Sequence, residues 1–285
     1  NDDPTGAVAI SGTATEDQVL SITNTLADED VLGSFSYAWN RAGTAISGAT
    51  SATYTLVQAD VGSTITVTVS YTDGQNTAES ATSAATSAVA NVNDDPTGSV
   101  TISGTATEDQ VLTAANTLAD EDVLGTITYT WSNGDTGTTT TLGQSDVGNA
   151  ITVTATYTDG QNTAESEVSS ATSAVANVND DPTGAVTITG TATEDQVLTA
   201  SNSLADEDVL GTITYTWSNG DTGATTTLGQ SDVGNAITVT ASYTDGQNTA
   251  ESEVSSATSA VANVNDDPTG SVTISGTATE DQVLT

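Results

Sequence analysis

Ile151-Thr152-Val153-Thr154-Ala155-Thr156-Tyr157 alternates apolar and threonine side chains without a break, and Ile127-Thr128-Tyr129-Thr130-Trp131 does the same. A period of two puts one set of side chains on each face of an extended chain, so both stretches read as half-buried antiparallel strands. Valine, isoleucine and threonine favour such strands because β-branching fits the pleated surface. No stretch carries a convincing 3.6-residue period, and only Gln144-Ser145-Asp146-Val147-Gly148 suggests a helical turn. Working outward, strand A is expected over 99–103, B over 110–116, C over 126–132, a D/E region over 138–142, F over 150–158 and G over 165–178. Turns rich in Gly, Asp and Asn separate them, the pattern of a β-sandwich. Trp131 shares the parity of Ile127 and Tyr129, so it is expected inside the core.

This strand pattern recurs. The hexapeptide NDDPTG opens at Asn1, Asn93, Asn179 and Asn265, which delimits domains 1–92, 93–178 and 179–264 and the start of a fourth at 265–285. Units this long are domains rather than the shorter modules of solenoids, and each can fold with a modest core. The second and third differ only at Ser99/Ala185, Ser103/Thr189, Ala115/Ser201, Thr117/Ser203, Thr138/Ala224 and Thr156/Ser242, all exchanges among small residues. The first carries extra length between Trp39 and Asp60, including Arg41, which reads as a longer C–E connection. The expected fold class is all-β, with tandem seven-stranded immunoglobulin-like or cadherin-like sandwiches placed end to end as a rod. The chain reads as a window cut from a longer array.

Charge narrows the function. Asp and Glu number 38 against a single basic residue, Arg41, and His, Cys, Met and Lys are absent. A net charge of −37 repels nucleic acid and anionic membrane surfaces and attracts cations. Without Cys there is neither a disulfide nor a thiolate metal site, and without Lys no Lys–Asn isopeptide crosslink. No apolar run is long enough to span a membrane, no signal peptide is evident, and no N-x-Ser/Thr sequon occurs. Catalysis is disfavoured because the usual bases and nucleophiles are missing, and a carboxylate pair would need a cleft that a small repeated sandwich hardly offers.

The acids are not scattered evenly. In a seven-stranded sandwich the N-terminus, the B–C loop and the F–G loop share one pole, while the A–B and E–F loops lie at the other. Asp94, Asp95, Asp120, Glu121, Asp122 and Asp159 fall at the first pole of the second unit, and Glu108, Asp109 and Asp146 at the opposite one. End-to-end stacking would then gather Glu16, Asp17, Asn93, Asp94, Asp95, Asp120, Glu121, Asp122 and Asp159 at one junction, with Asp60 a further candidate. The next junction would gather Glu108, Asp109, Asn179, Asp180, Asp181, Asp206, Glu207, Asp208 and Asp245. Crowded carboxylates without a basic neighbour repel, and hard oxygen ligands without imidazole or thiolate select calcium over magnesium. Pro96 fixes its own φ and biases Asp95 towards an extended backbone, giving a restricted linker. Isolated acids such as Asp135 or Asp146 read instead as turn residues.

The first unit contains Tyr37-Ala38-Trp39-Asn40-Arg41-Ala42-Gly43, Ile46-Ser47-Gly48-Ala49-Thr50, Tyr54-Thr55-Leu56, Ala59-Asp60-Val61-Gly62 and Ile65-Thr66-Val67-Thr68-Val69-Ser70-Tyr71-Thr72-Asp73. These motifs resemble the bacterial immunoglobulin-like repeats in the stalks of giant secreted adhesins, including those of the RTX type. The resemblance covers all three complete units. It implies an extracellular, calcium-stiffened spacer, attached to a cell surface or secreted, whose partners are the neighbouring repeats of its own chain. The acidic junctions resemble those of cadherins. Two alternatives belong to other classes: a segment of a self-assembling filament or surface layer made of identical chains, and a glycan- or protein-binding module centred on the Arg41 loop.

Overall fold

The computed structural model describes residues 2–281 and residue 283. Asn1, which opens the first NDDPTG, and Gln282, Leu284 and Thr285 of the partial fourth repeat lie outside the described residues. Two compact units emerge. One runs to Leu142 and includes Gly148–Val175, and the other takes Gly143–Val147 and the chain from Ala176 onward.

In the first repeat, β1 (Val8–Ser11), β2 (Val19–Asn24) and β5 (Thr53–Thr55) form one antiparallel sheet in the order β1-β2-β5. The facing sheet has the order β4-β3-β6-β7, from β3 (Ser36–Arg41), β4 (Thr44–Ala45), β6 (Ile65–Thr72) and β7 (Ala78–Thr82). The second repeat reproduces both sheets with β8 (Val100–Ser103), β9 (Val111–Asn116), β10 (Thr128–Trp131), β11 (Thr139–Thr141), β12 (Val153–Thr158) and β13 (Ala164–Val168). The third does so with β14 (Val186–Thr189), β15 (Val197–Asn202), β16 (Thr214–Trp217), β17 (Thr225–Thr227), β18 (Val239–Thr244) and β19 (Ala250–Val254). The described residues therefore form seven strands in the first repeat and six in each of the others. The extra one is β4, built from the longer C–E connection and paired with Asn40 and Arg41. Among the described residues from Asn265 onward no strand forms, and Val272 is 99% exposed. A first strand with no facing sheet has nothing against which to bury its apolar side.

The two-residue period builds the core as expected. Ile65, Val67, Val69 and Tyr71 of β6 alternate buried with partly exposed Thr66, Thr68 and Ser70. They pack with Leu20, Leu56 and Trp39 in one cluster. Each fully buried aliphatic side chain contributes roughly 1.5–3 kcal/mol. Trp39, Trp131 and Trp217 sit at the same place, and each indole N–H is satisfied by a backbone carbonyl, of Ser51, Gly137 and Gly223 respectively, at 2.9 Å. A buried tryptophan needs such an acceptor, so the turn after strand C is part of the core.

The last strand departs from expectation. Regular pairing of β13 with β12 ends at Val168 instead of running to residue 178. Beyond it the N–H groups of Ser169, Thr172 and Val175 donate to Val153, Ile151 and Asn149, so three residues oppose every two of the neighbour. The stretch Ser169-Ser170-Ala171-Thr172-Ser173-Ala174 has only small side chains, which let the strand bulge and swing. In the first repeat the equivalent swing carries Ala90 into a parallel bridge with Thr15, with Ala90 N–H donating to Ala14 and Glu16 N–H to Ala90. The swing sets the start of the linker against the A–B loop. The 3-10 turn Gln58–Asp60 lies at the same end, and Gln144–Asp146 confirms the expected helical turn in the second repeat.

Candidate metal centre

Glu16, Asp94 and Asp122 converge where the first repeat meets the second. One carboxylate oxygen of each lies within 4.8 Å of the other two. Glu16 comes from the A–B loop of the first repeat, Asp94 from the linker and Asp122 from the B–C loop of the second. Glu16 is 2% exposed and Asp122 fully buried. Arg41, the chain's one basic residue, is engaged elsewhere with Asp60.

Two of the three carboxylates, those of Glu16 and Asp122, accept backbone N–H groups of other residues. The Val92 N–H donates to Glu16 Oε2 at 3.3 Å, a contact created by the swing of the last strand. The Asp94 N–H donates to Asp122 Oδ2 at 3.0 Å, and the Asp122 N–H donates to Asp120 Oδ1 at 2.8 Å. Asp120 in turn accepts the Tyr157 hydroxyl on Oδ2. Burial, reinforced by Asp120, pushes that hydroxyl well above the ordinary tyrosine range. The first repeat shows the same frame at its own N-terminal pole. There Asp2 N–H donates to Asp30 Oδ2 at 3.0 Å, Asp30 N–H to Asp28 Oδ1 at 2.8 Å, and Tyr71 OH to Asp28 Oδ2 at 2.7 Å. No repeat precedes those residues among those described, so the frame belongs to the repeat itself and the upstream repeat adds Glu16 to it.

The electrostatics are unfavourable without a counter-charge. Burial pushes the Glu16 carboxyl above its ordinary 4.5, and the charges of Asp94, Asp122 and Asp17 add to the shift against the opposing Val92 hydrogen bond. Asp94 is likewise held above 3.8, by burial and then by Asp122, Asp17, Asp120 and Asp95. The donor set is all hard oxygen. Two oxygens bound to one calcium at 2.3–2.6 Å stand at most about 5.2 Å apart, so separations within 4.8 Å fit a single ion.

The remaining expected residues are placed as follows. Asp17, with φ of 60°, lies beside the cluster, its N–H donating to Leu56 O. Asp95 is exposed and near enough to perturb Asp94. Asn93 donates to Glu165 Oε1 at 2.9 Å, out on the surface. Glu121 turns its side chain outward. Asp159 is 6% exposed, and its Oδ1 closes its own hairpin by accepting the N–H groups of Gln161 and Thr163. Asp60 is removed from the cluster: its carboxylate accepts Arg41 Nε at 2.6 Å, the Tyr54 hydroxyl at 2.9 Å and the Val57 N–H at 2.9 Å. Asp135 accepts the Thr140 hydroxyl within its turn.

In the second unit the linker frame recurs. Asp180 N–H donates to Asp208 Oδ2, Asp208 N–H to Asp206 Oδ1, and Tyr243 OH to Asp206 Oδ2. Asn179 donates to Glu251, and Asp245 closes its hairpin through Gln247 and Thr249. Asp181 and Glu207 are exposed. Glu108 and Asp109 belong to the first unit, where Glu108 is 2% exposed and the Asp109 N–H donates to Leu142 O.

One participant is absent from the expected set. Gln58 Nε2 reaches across to the second repeat, donating to Asp122 Oδ1 at 2.7 Å and to the Glu121 carbonyl at 3.1 Å. The only hint in the sequence is its persistence as Gln58, Gln144 and Gln230 beside a variable Ala59, Ser145 and Ser231.

No family model matches this chain, and no curated protein matches it. Among solved structures, similar ones include a tetra-tandem repeat from the extending region of a large adhesion protein, at 21% identity over 90% of this chain and 74% of that one, with a TM-score of 0.31. Another is a Ca2+-stabilized adhesin that helps an Antarctic bacterium reach out and bind ice, at 16% identity over 98% and 79%, with a TM-score of 0.34. A third is the D1–D4 ectodomain fragment of ICAM-5, at 11% identity over 90% and 75%, with a TM-score of 0.39. These likenesses are of strand architecture and carry no functional argument. Among the described residues no helix is long and apolar enough to cross a membrane.

Proposed function

We propose that this chain is a spacer segment of a large extracellular adhesin, in which calcium bound at each junction restrains one repeat against the next. The observation that carries the reading is the convergence of Glu16, Asp94 and Asp122, three carboxylates from two repeats and their linker, two of them nearly or fully buried. Without an ion their charges oppose the junction; with calcium bound, the same oxygens become its ligands. The ion's contribution is electrostatic and coordinative. The chain's own residues supply the oxygens; the Val92 N–H holds Glu16 and the Asp94 N–H holds Asp122, whose own N–H ties the loop to Asp120. Near-identity of the second and third repeats suits a spacer, which tolerates copying, more than a specific binding module, which needs its site only once.

The test is calcium titration by calorimetry on the whole chain, with the double substitution Asp94→Ala, Asp95→Ala as the comparison. The substitution is expected to remove the tightest uptake at the first junction. At a hundred times its dissociation constant, a bound ion stabilises the folded state by about 2.7 kcal/mol. Chelation is correspondingly expected to raise protease sensitivity and change the maximum dimension in small-angle scattering. A chain with the same dimension and the same digestion rate in calcium and in chelator would refute the proposal.

A further inference from the structure

The glutamine of the E–F turn occurs in two arrangements. In the third repeat, with no B–C loop following among the described residues, Gln230 Nε2 folds back on the linker and donates to Asn263 Oδ1 at 3.3 Å. Gln58 instead donates to Asp122 Oδ1 and the Glu121 carbonyl, and Gln144 donates to Asp208 Oδ1 at 3.0 Å. Both targets of Gln58 are acceptors only, which forces its NH2 towards them and its Oε1 away.

The exchange leaves a trace. Gln58 Oε1 and Asn91 Oδ1 are both buried without a hydrogen-bond partner among the described residues, and so are their counterparts Gln144 Oε1 and Asn177 Oδ1. Asn263, the equivalent of Asn91 and Asn177, has its Oδ1 satisfied by Gln230. Engaging the next repeat thus strips the linker asparagine of its donor and leaves two buried carbonyl oxygens with none. Buried acceptors are rarely left so, and neutral amide oxygens are among the ligands that calcium and its waters accept.

We propose that Gln58 is a positioning residue of the junction, whose amide leaves Asn91 to fix the Asp122 carboxylate for the ion, so that cation binding and engagement of the next repeat are coupled. This rests on the calcium reading above. Asp122 then has one oxygen held by Gln58 and the other by the Asp94 N–H, and its orientation depends on the upstream repeat as well as on its own loop. In the ion-free protein Gln58 is expected to return to Asn91, as Gln230 stands with Asn263.

The test uses the whole chain with Gln58→Met, which keeps length and loses both hydrogen bonds, and Gln230→Met as the comparison. Partners that orient metal ligands typically change affinity by about 10–100-fold. Calorimetry is therefore expected to show part of the calcium uptake weakened at least about ten-fold by Gln58→Met and unchanged by Gln230→Met, while melting in chelator is lowered slightly and to a similar extent by both, since each loses the same amide–amide hydrogen bond. The side-chain amide resonances of Gln58 are expected to move on calcium addition from positions like those of Gln230. Uptake and resonances indifferent to the substitution and the ion, in a chain that does bind calcium, would overturn this inference alone. A chain that binds no calcium would overturn the junction reading together with it.

Discussion

Gly125 joins the B–C loop of the second repeat to strand β10, and a methyl group there would stand 1.9 Å from the Thr158 carbonyl oxygen and 3.0 Å from its carbon. Both atoms are backbone, so no side chain can swing aside. Restoring ordinary contact requires the loop and the end of β12 to part by roughly 1.5 Å. Asp122 lies three residues before Gly125, and Asp159 follows Thr158, so the movement reaches the candidate site and the hairpin beside it. Overpacking of this kind costs about 1–3 kcal/mol, and a backbone obstacle puts Gly125→Ala at the upper end. For a domain of this size that lowers the melting temperature by roughly 12–24 °C. Scanning calorimetry in chelator should show the second repeat melting ahead of the others, which keep Gly33 and Gly211 as internal references. Calcium uptake at the first junction should weaken as Asp122 shifts. Gly143→Ala is the matched comparison: its φ is −124° and no atom lies within 4 Å of the added methyl. There the smaller unfolded-state entropy predicts a gain of about 0.4–1 kcal/mol. A Gly125→Ala melt and calcium isotherm superimposable on the parent would refute the argument that this contact fixes the B–C loop.

Two further outcomes follow from strain and charge. Val123 has φ of +74° with its side chain 67% exposed, a left-handed backbone that a β-branched residue adopts only with strain. Val123→Asn should therefore stabilise the second repeat by about 1 kcal/mol in chelator, and a loss of stability on denaturant titration would contradict this. Glu16 and Asp94 titrate above 4.5 and 3.8 in the folded protein, so their protonated forms favour folding. In chelator, stability should fall as pH rises from those ordinary values through the raised ones; calcium should oppose that fall at neutral pH. A melting temperature in chelator that rises over this window would contradict the charge crowding.

Much of the strand architecture was legible because one face of each strand is buried. Ile151, Val153, Ala155 and Tyr157 must share a side, and a two-residue period records that directly. Strand β13 was misjudged in extent because the small residues after Val168 carry no parity from which a face could be read. The acids were a different problem. Composition and loop position brought many carboxylates to one end, but each had several uses open to it. Asp120 anchors its loop through Tyr157, Asp159 turns a hairpin, and Asp60 neutralises Arg41 nineteen positions away.

From the sequence alone came the repeat, the sandwich, the acidic poles and the absence of basic neighbours, since all of these are properties of pattern and composition along the chain. Only the tertiary structure selected Glu16, Asp94 and Asp122 from the acids at the first junction, and only it brought Gln58 to a carboxylate 64 residues away. The physical reason is that convergence depends on how the last strand swings and where a neighbouring repeat's loop arrives. A residue's own flanking sequence records neither.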